Sequence, residues 1–294
     1  MNFFRNICKF ALFSISLIFT TPSLASDHFI TKGDVTFHFK GQSGQIGIFD
    51  KHQREASIKW KKIEEFDSYN NKVDFVNNFA SQTFNWGLPI ETIINGNNCT
   101  LVKFSSILNT KNDKLHNVYF NITTQIFSED TFIQYGNTTI TVPKNVVKFD
   151  LSITNWPFKN VNNTLHFGAE MRQSKLKEIK EFKVNKLNKV RSKDSNDDRV
   201  VIVDKDSFYD MPSIALINGI ETDIGVGLYN DTDDGKIGIR WMFPYFNNLI
   251  YDPVVGTGSP SYIDLTSDSY SKYNINYITV LCLVSSILHS KYLL

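Results

Sequence analysis

Cysteine is scarce in this chain, and its scarcity excludes one class of secreted module. The sequence has three cysteines. Cys8 and Cys282 lie in the two end segments, so only Cys99 belongs to the central region. A secreted domain with a single cysteine has no internal disulfide, which excludes disulfide-knit modules such as EGF-like domains. We expect Cys99 to be buried, because free cysteine is among the most buried residue types.

A surplus of charge and the common catalytic motifs are also missing. The formal net charge is only +1, so nothing indicates a nucleic-acid partner. The chain has no Gly-x-Ser-x-Gly elbow and no His-Glu-x-x-His zinc helix. An acidic turn at residues 231–235 fails as a calcium loop of EF-hand type, because Trp241 occupies the place of its last carboxylate. We therefore predict no metal, no cofactor and no enzymatic activity.

The first 25 residues have the pattern of a secretory signal. Arg5 and Lys9 supply positive charge, and residues 10–19 form an apolar run. Ser23 and Ala25 place small side chains where signal peptidase cleaves. We expect residues 1–25 to be a signal peptide and the mature protein to lie outside the cytoplasm, either at the extracellular face of the plasma membrane or secreted.

The last segment, residues 267–294, is expected to attach the protein to a membrane. Its apolar stretch, residues 276–288, is short for a membrane-spanning helix, which needs roughly 20 residues. Small residues, a polar spacer and a modest apolar tail are typical of a glycosylphosphatidylinositol (GPI) signal, with Ser267 as the candidate lipid attachment site. Lys291 is unusual for such a tail. A short transmembrane anchor and a soluble protein remain the alternatives.

The central region has five Asn-x-Ser/Thr sequons, and their positions favour glycosylation. Four of them fall in turns or on the polar side of an alternating strand, where a glycan has room. Together with the signal peptide, they predict an N-glycosylated protein. The candidate sites are Asn98, Asn121, Asn137, Asn162 and Asn230.

Short runs of alternating apolar and polar residues fill residues 26–266. One example runs from Val146 to Thr154, with Phe149, Leu151 and Ile153 on one face. Asn218-Gly219 between two apolar runs predicts a hairpin, since a type I′ turn needs positive φ at both central positions. Many short strands at regular spacing predict an all-β fold, an antiparallel β-sandwich ectodomain.

One stretch, residues 172–199, departs from this pattern and is predicted to be a charged insertion. Basic residues crowd residues 175–193, and their apolar neighbours fall partly at helical spacing, so a short amphipathic helix is one interpretation. The segment would then be either a docking site for anionic sugars or lipid head groups, or a solvated insertion between two strands.

Residues 155–158 form a corner that we predict to determine the fold. Pro157 lacks a backbone N–H and ends the strand, and the residue before it, Trp156, is held extended. Asn155 can satisfy turn backbone groups. Trp156 is expected to cap the core, with Phe158 completing the corner.

Residues 149–158 resemble the strand and Asn-Trp-Pro-Phe corner of extracellular β-sandwich domains in dictyostelid-type cell-surface glycoproteins. Residues 66–71, 135–139 and 246–253 are similar to an early turn, a mid-domain hairpin and the closing strand of that family. The resemblance covers residues 29–255 and implies a surface or secreted glycoprotein with no assigned chemistry. The basic insertion is atypical for it.

These observations predict a cell-surface, N-glycosylated β-sandwich protein with a recognition, adhesion or structural role. Its expected partners are the membrane, through the C-terminal tail, and a cell-surface protein or glycan; no nucleic acid is expected. The alternative is a secreted carbohydrate-active enzyme or a lectin that acts on surface glycans.

Overall fold

The structure is a computed structural model that describes residues 27–52, 54–171, 180–184, 199–203, 207–231, 236–257 and 270–271. These residues form β-strands and one 3₁₀ turn, at Phe79–Ser81. The strands are, in chain order, β1 (His28–Lys32), β2 (Val35–Lys40), β3 (Gln45–Asp50), β4 (Glu55–Phe66), β5 (Lys72–Phe75), β6 (Ile90–Ile94), β7 (Asn97–Leu108), β8 (Val118–Phe127), β9 (Thr131–Tyr135), β10 (Thr138–Val142), β11 (Val147–Thr154), β12 (Thr164–Met171), β13 (Lys180–Val184), β14 (Arg199–Val203), β15 (Ser207–Pro212), β16 (Ile214–Ile217), β17 (Ile220–Asp223), β18 (Gly225–Asp231), β19 (Lys236–Phe243), β20 (Asn248–Tyr251), β21 (Val254–Thr257) and β22 (Tyr270–Ser271).

The first sheet has eight strands. Seven of them follow the order β1-β2-β3-β4-β12-β19-β18, the eighth, β5, pairs with β4 beside this path, and all the pairings are antiparallel. The twelve-residue strand β4 is long enough to carry two partners on one edge, β3 and then β5, while β12 covers the other edge. We call it the eight-stranded sheet.

The second sheet has twelve strands and branches at β11. One edge of β11 pairs with β8, which continues through β7 to β6. The other edge is shared by β20, which leads to β16 and β17, and by β21, which leads through β15 to β14, β13 and β22. The pairings of this twelve-stranded sheet are also antiparallel.

The two sheets pack face to face over an aromatic core. The ring of Trp60 on β4 lies 5.4 Å from that of Phe149 on β11. Trp241 on β19 lies 5.9 Å from Tyr251 on β20. The alternating residues predicted to share one face of β11 are buried here. All four tryptophans are buried, so they belong to the core rather than to an exposed surface.

A second, smaller core lies on the outer face of the twelve-stranded sheet. Strands β9 and β10 form a separate hairpin, and its apolar side chains pack onto residues of β7, β8, β15 and β21. Tyr135 of the hairpin donates a hydrogen bond from Oη to the carbonyl oxygen of Ile250, 3.0 Å away. Cys99 is buried in this cluster, as predicted, and burial raises the pKa of its thiol to about 11.

The prediction of an all-β chain with two antiparallel sheets is confirmed. The Asn218-Gly219 turn is confirmed too, since φ is 53° at Asn218 and 81° at Gly219. Residues 220–228 form two strands in different sheets, although their apolar pattern is continuous. Residues 180–184 of the charged insertion form β13, so the interpretation of an amphipathic helix does not hold for them. Strand β13 pairs with β14, so this part of the insertion extends the twelve-stranded sheet.

Candidate functional site

A bulge in β4 places two neighbouring lysines on the outer face of the eight-stranded sheet. The register of β4 against β12 shifts between Gly168 and Ala169, so that Trp60 faces Ala169 and Lys62 faces Gly168. Trp60 and Ile63 can therefore both be buried in the core although they are three positions apart. The bulge leaves Lys61 and Lys62 on the outer face together.

The ring of Tyr229 lies over Gly168 and Gly238, beside these lysines. Tyr229 on β18 pairs with Gly238, and a Cβ atom on Gly238 would lie 2.5 Å from the Tyr229 ring. Glycine is therefore required for the ring to rest on the sheet. Lys62 Nζ lies 4.8 Å from the ring centroid and Arg240 Cζ lies 5.0 Å from it. Both cations are thus held over an electron-rich ring.

Further cations extend this surface along β4 and β5. Lys61 forms an ion pair with Glu170 at 3.0 Å, and Glu64 contacts Lys72 at 3.0 Å. The Phe75 ring lies 4.8 Å from Lys72 Nζ, and Lys111 Nζ lies 5.2 Å from the same ring. We call this surface the basic face. The side chains that define it carry five positive charges and two negative ones: Lys61, Lys62, Lys72, Lys111, Arg240, Glu64 and Glu170.

One histidine lies within the basic face but does not add to its charge. His166 is buried, stacks on Phe66 with ring centroids 4.2 Å apart, and its Nε2 lies 3.1 Å from Thr164 Oγ1. Burial lowers the pKa of His166 to about 4; the nearby Arg240 lowers it further, and Glu64 opposes the shift. The imidazole is therefore neutral at neutral pH.

This histidine predicts a loss of stability in mild acid. Between its ordinary pKa of 6.5 and about 4, His166 is protonated in the unfolded chain but not in the folded protein. The unfolded state then binds more protons, so stability should fall as the pH falls through this range. The measurement is the urea midpoint of wild type, His166→Gln and the exposed-site control His52→Gln at several pH values. Parallel curves for all three proteins would contradict the prediction.

Three of the sequons belong to the twelve-stranded sheet and to the hairpin that covers it. Asn98 and Asn121 are in β7 and β8 of the twelve-stranded sheet, and Asn137 is in the turn of the β9–β10 hairpin that covers it. Asn98 and Asn137 are exposed, whereas Asn121 is half-buried and donates from Nδ2 to Ser152 Oγ at 3.3 Å. Asn162 is exposed in the loop before β12. The backbone of Asn230 lies in β18, and its side chain is outside what the structure describes.

The predicted corner at residues 155–158 is held by an acid that the sequence did not reveal. Trp156 is buried and donates from Nε1 to Glu65 Oε2 at 3.1 Å. Glu65, fully buried on β4, also accepts from the backbone N–H of Lys159 at 2.8 Å. Asn155 adopts a positive φ of 60°, and the Phe158 ring lies 5.2 Å from that of Phe246. Pro157 lies between these contacts and is half-buried.

The predicted signal peptide, the candidate lipid site Ser267 and the tail at residues 267–294 lie outside the described residues, apart from the two-residue strand β22. In the part of the chain that the structure describes, no helix is long and apolar enough to span a membrane. Over the same residues, no group of three or more His, Cys, Asp or Glu side chains is placed to hold a metal ion.

Comparison with known proteins assigns no family. No protein-family model matches the chain, and a search of curated proteins found no match. The class of protein is defined by the fold alone: an all-β chain with two antiparallel sheets.

Proposed function

We propose that this chain is an N-glycosylated cell-surface protein whose role is recognition or adhesion and whose binding surface is the basic face. The observation that supports this most is the difference between the two outer faces. Asn121 lies on the outer face of the twelve-stranded sheet and Asn137 lies on the hairpin that covers it, so glycans would crowd that surface, whereas one sequon, Asn230, lies on β18 of the eight-stranded sheet. The opposite face presents cations around an aromatic ring.

The chemistry of the basic face favours an acidic partner. Lys62 and Arg240 are oriented by Tyr229, so they present charge without the full entropy cost of ordering free side chains. Arginine also binds carboxylate and sulfate groups through two parallel hydrogen bonds. An acidic cell-surface glycan, or an acidic protein surface, would complement this arrangement. The resemblance to dictyostelid-type surface glycoproteins and the predicted signal and anchor segments support the same setting.

Two double variants of equal charge change test the basic face. The full chain is displayed on eukaryotic cells, and release by a phosphatidylinositol-specific phospholipase tests the GPI anchor. The protein, released or detergent-extracted, is then applied to heparin beads, which carry a sulfated polysaccharide. Lys62→Glu with Arg240→Glu should elute at clearly lower salt than wild type.

The control is Lys103→Glu with Lys144→Glu, which changes two exposed lysines on the side of the twelve-stranded sheet. It carries the same net charge as the basic-face variant but should elute close to wild type, because ionic contacts depend on position as well as on charge. Equal shifts for both variants, or no retention of the wild type, would count against the basic face as the binding surface.

A further inference from the structure

A lysine and two carboxylates meet in the second core, away from the basic face. Lys148 lies on the outer face of β11 but is only 1% exposed. Its Nζ contacts Asp150 Oδ1 and lies 2.7 Å from Asp252 Oδ2. Asp150 is fixed on its other oxygen by Gln125, whose Nε2 donates to Oδ2 at 2.6 Å. Lysine is almost never this buried unless it is paired, so the three groups form one preorganised unit.

The chain topology places Asp252 beside β11, the strand that carries Lys148. One edge of β11 pairs with two consecutive strands. These are β20, which ends at Tyr251, and β21, which begins at Val254. Asp252 lies in the two-residue link between them, and the next residue, Pro253, accepts a hydrogen bond from Phe149 N at 2.9 Å. A bond between the two side chains would therefore tie β11 to the junction of both branches of the sheet.

The protonation of the three groups suits a condensation. Asp252 is buried, and burial raises its pKa, although Lys148 opposes the shift. Burial would lower the pKa of Lys148, but the two carboxylates outweigh it and raise that pKa. The raised pKa of Asp252 favours its neutral carboxylic acid, and the raised pKa of Lys148 favours its ammonium. A protonated carboxyl group is the form that an amine can attack.

We infer that Lys148 and Asp252 join through an intramolecular amide (isopeptide) bond between Lys148 Nζ and Asp252 Cγ. Asp150 takes a proton from Lys148, and the neutral amine attacks Cγ of the protonated Asp252. The N–C bond forms, a C–O bond breaks, and the hydroxyl group leaves as water with a proton from Asp150. The second proton released by nitrogen stays on Asp150, which ends as a neutral carboxylic acid. No oxidant or reductant is needed.

Two further observations favour this chemistry over a simple ion pair. Asp252 Oδ1 is buried and has no hydrogen-bond partner among the described residues, so expelling one carboxyl oxygen as water removes an unsatisfied polar atom. The Asp150 side chain is 33% exposed, which gives the water a path to solvent. A buried ion pair, by contrast, keeps the desolvation cost of its charges.

Peptide mapping of the full glycosylated chain tests the bond directly. The protein is purified from eukaryotic cells, denatured, stripped of N-glycans and digested with trypsin. We expect a branched peptide with two N-termini, in which trypsin has not cleaved after the acylated Lys148. Its mass should be one water less than the summed masses of the Lys148 peptide, residues 145–159, and the peptide that contains Asp252. A succinimide at Asp252 cannot imitate this loss, because Pro253 has no backbone N–H. Cleavage after Lys148, with recovery of residues 145–148, residues 149–159 and an unmodified linear Asp252 peptide, would overturn the inference.

Three variants separate the roles of the groups. Asp252→Asn should give the same branched peptide, formed with loss of ammonia instead of water. Lys148→Arg should give none, because guanidinium is not a competent nucleophile here. Asp150→Asn should slow formation at least tenfold in a refolding time course, since the proton acceptor is gone. If Asp150→Asn forms the bond at the wild-type rate, the role assigned to Asp150 is wrong. The wild-type map decides the bond itself even where a variant does not fold.

Discussion

Replacement of Trp156 by alanine is expected to lower the free energy of unfolding by about 3–5 kcal/mol. The side chain is only 4% exposed, so alanine would leave a cavity at the edge of the core. The substitution also removes the donor that reaches Glu65 Oε2 at 3.1 Å. A buried carboxylate oxygen would then lose one of its partners, which adds to the cost of the cavity.

The measurement is urea unfolding of the soluble chain, followed by far-ultraviolet circular dichroism. Trp156→Phe keeps most of the volume and removes the donor, so its loss should be intermediate. Tyr69→Ala is a suitable control, because this aromatic ring is 84% exposed and should change stability little. An unchanged midpoint for Trp156→Ala would show that the corner does not determine the fold.

Local patterns predicted those parts of the fold that local forces decide. The Asn218-Gly219 hairpin follows from backbone sterics, because both residues tolerate positive φ. Strand β11 follows from its alternation, because one face of it is buried in the core. Several strands were not predicted, among them β1, β5, β6, β15 and β21. These strands are short, and their pairings depend on partners distant in the sequence.

The alternation of apolar and polar residues does not indicate which sheet a strand joins. Residues 220–228 continue one apolar pattern, yet the chain changes sheets at Ile224, whose backbone N–H donates to Ser213 O at 2.7 Å. Before this point β17 pairs with β16, and after it β18 pairs with β19. A change of sheet is a tertiary event, so the pattern of a single segment does not record it.

The sequence did not predict the candidate sites either, because they too depend on tertiary contacts. Lys148 alternates with apolar residues on β11 and lies on the outer face of that strand. It is nevertheless buried, because the second core covers this face. Lys61 and Lys62 share the basic face because of a bulge opposite Gly168, and this bulge appears in the sequence only as a break in alternation between Trp60 and Ile63.

Glu65 is the residue whose loss we expect to be as severe as that of Trp156. It is fully buried on β4 and accepts three hydrogen bonds. The donors are Trp156 Nε1 at 3.1 Å, the backbone N–H of Lys159 at 2.8 Å and Asn163 Nδ2 at 2.5 Å. One carboxylate thus ties the loop between β11 and β12 to the eight-stranded sheet.

Glu65→Ala should therefore lower the free energy of unfolding by at least about 3 kcal/mol, because each buried donor left without a partner costs about 1–3 kcal/mol. Glu64→Ala is the matched control; its lysine partners lie near the surface, and it should cost less than about 1 kcal/mol. In a double-mutant cycle, Trp156→Phe should cost less in the Glu65→Ala background than in wild type. Equal costs in the two backgrounds would mean that the hydrogen bond between Trp156 and Glu65 contributes nothing to stability.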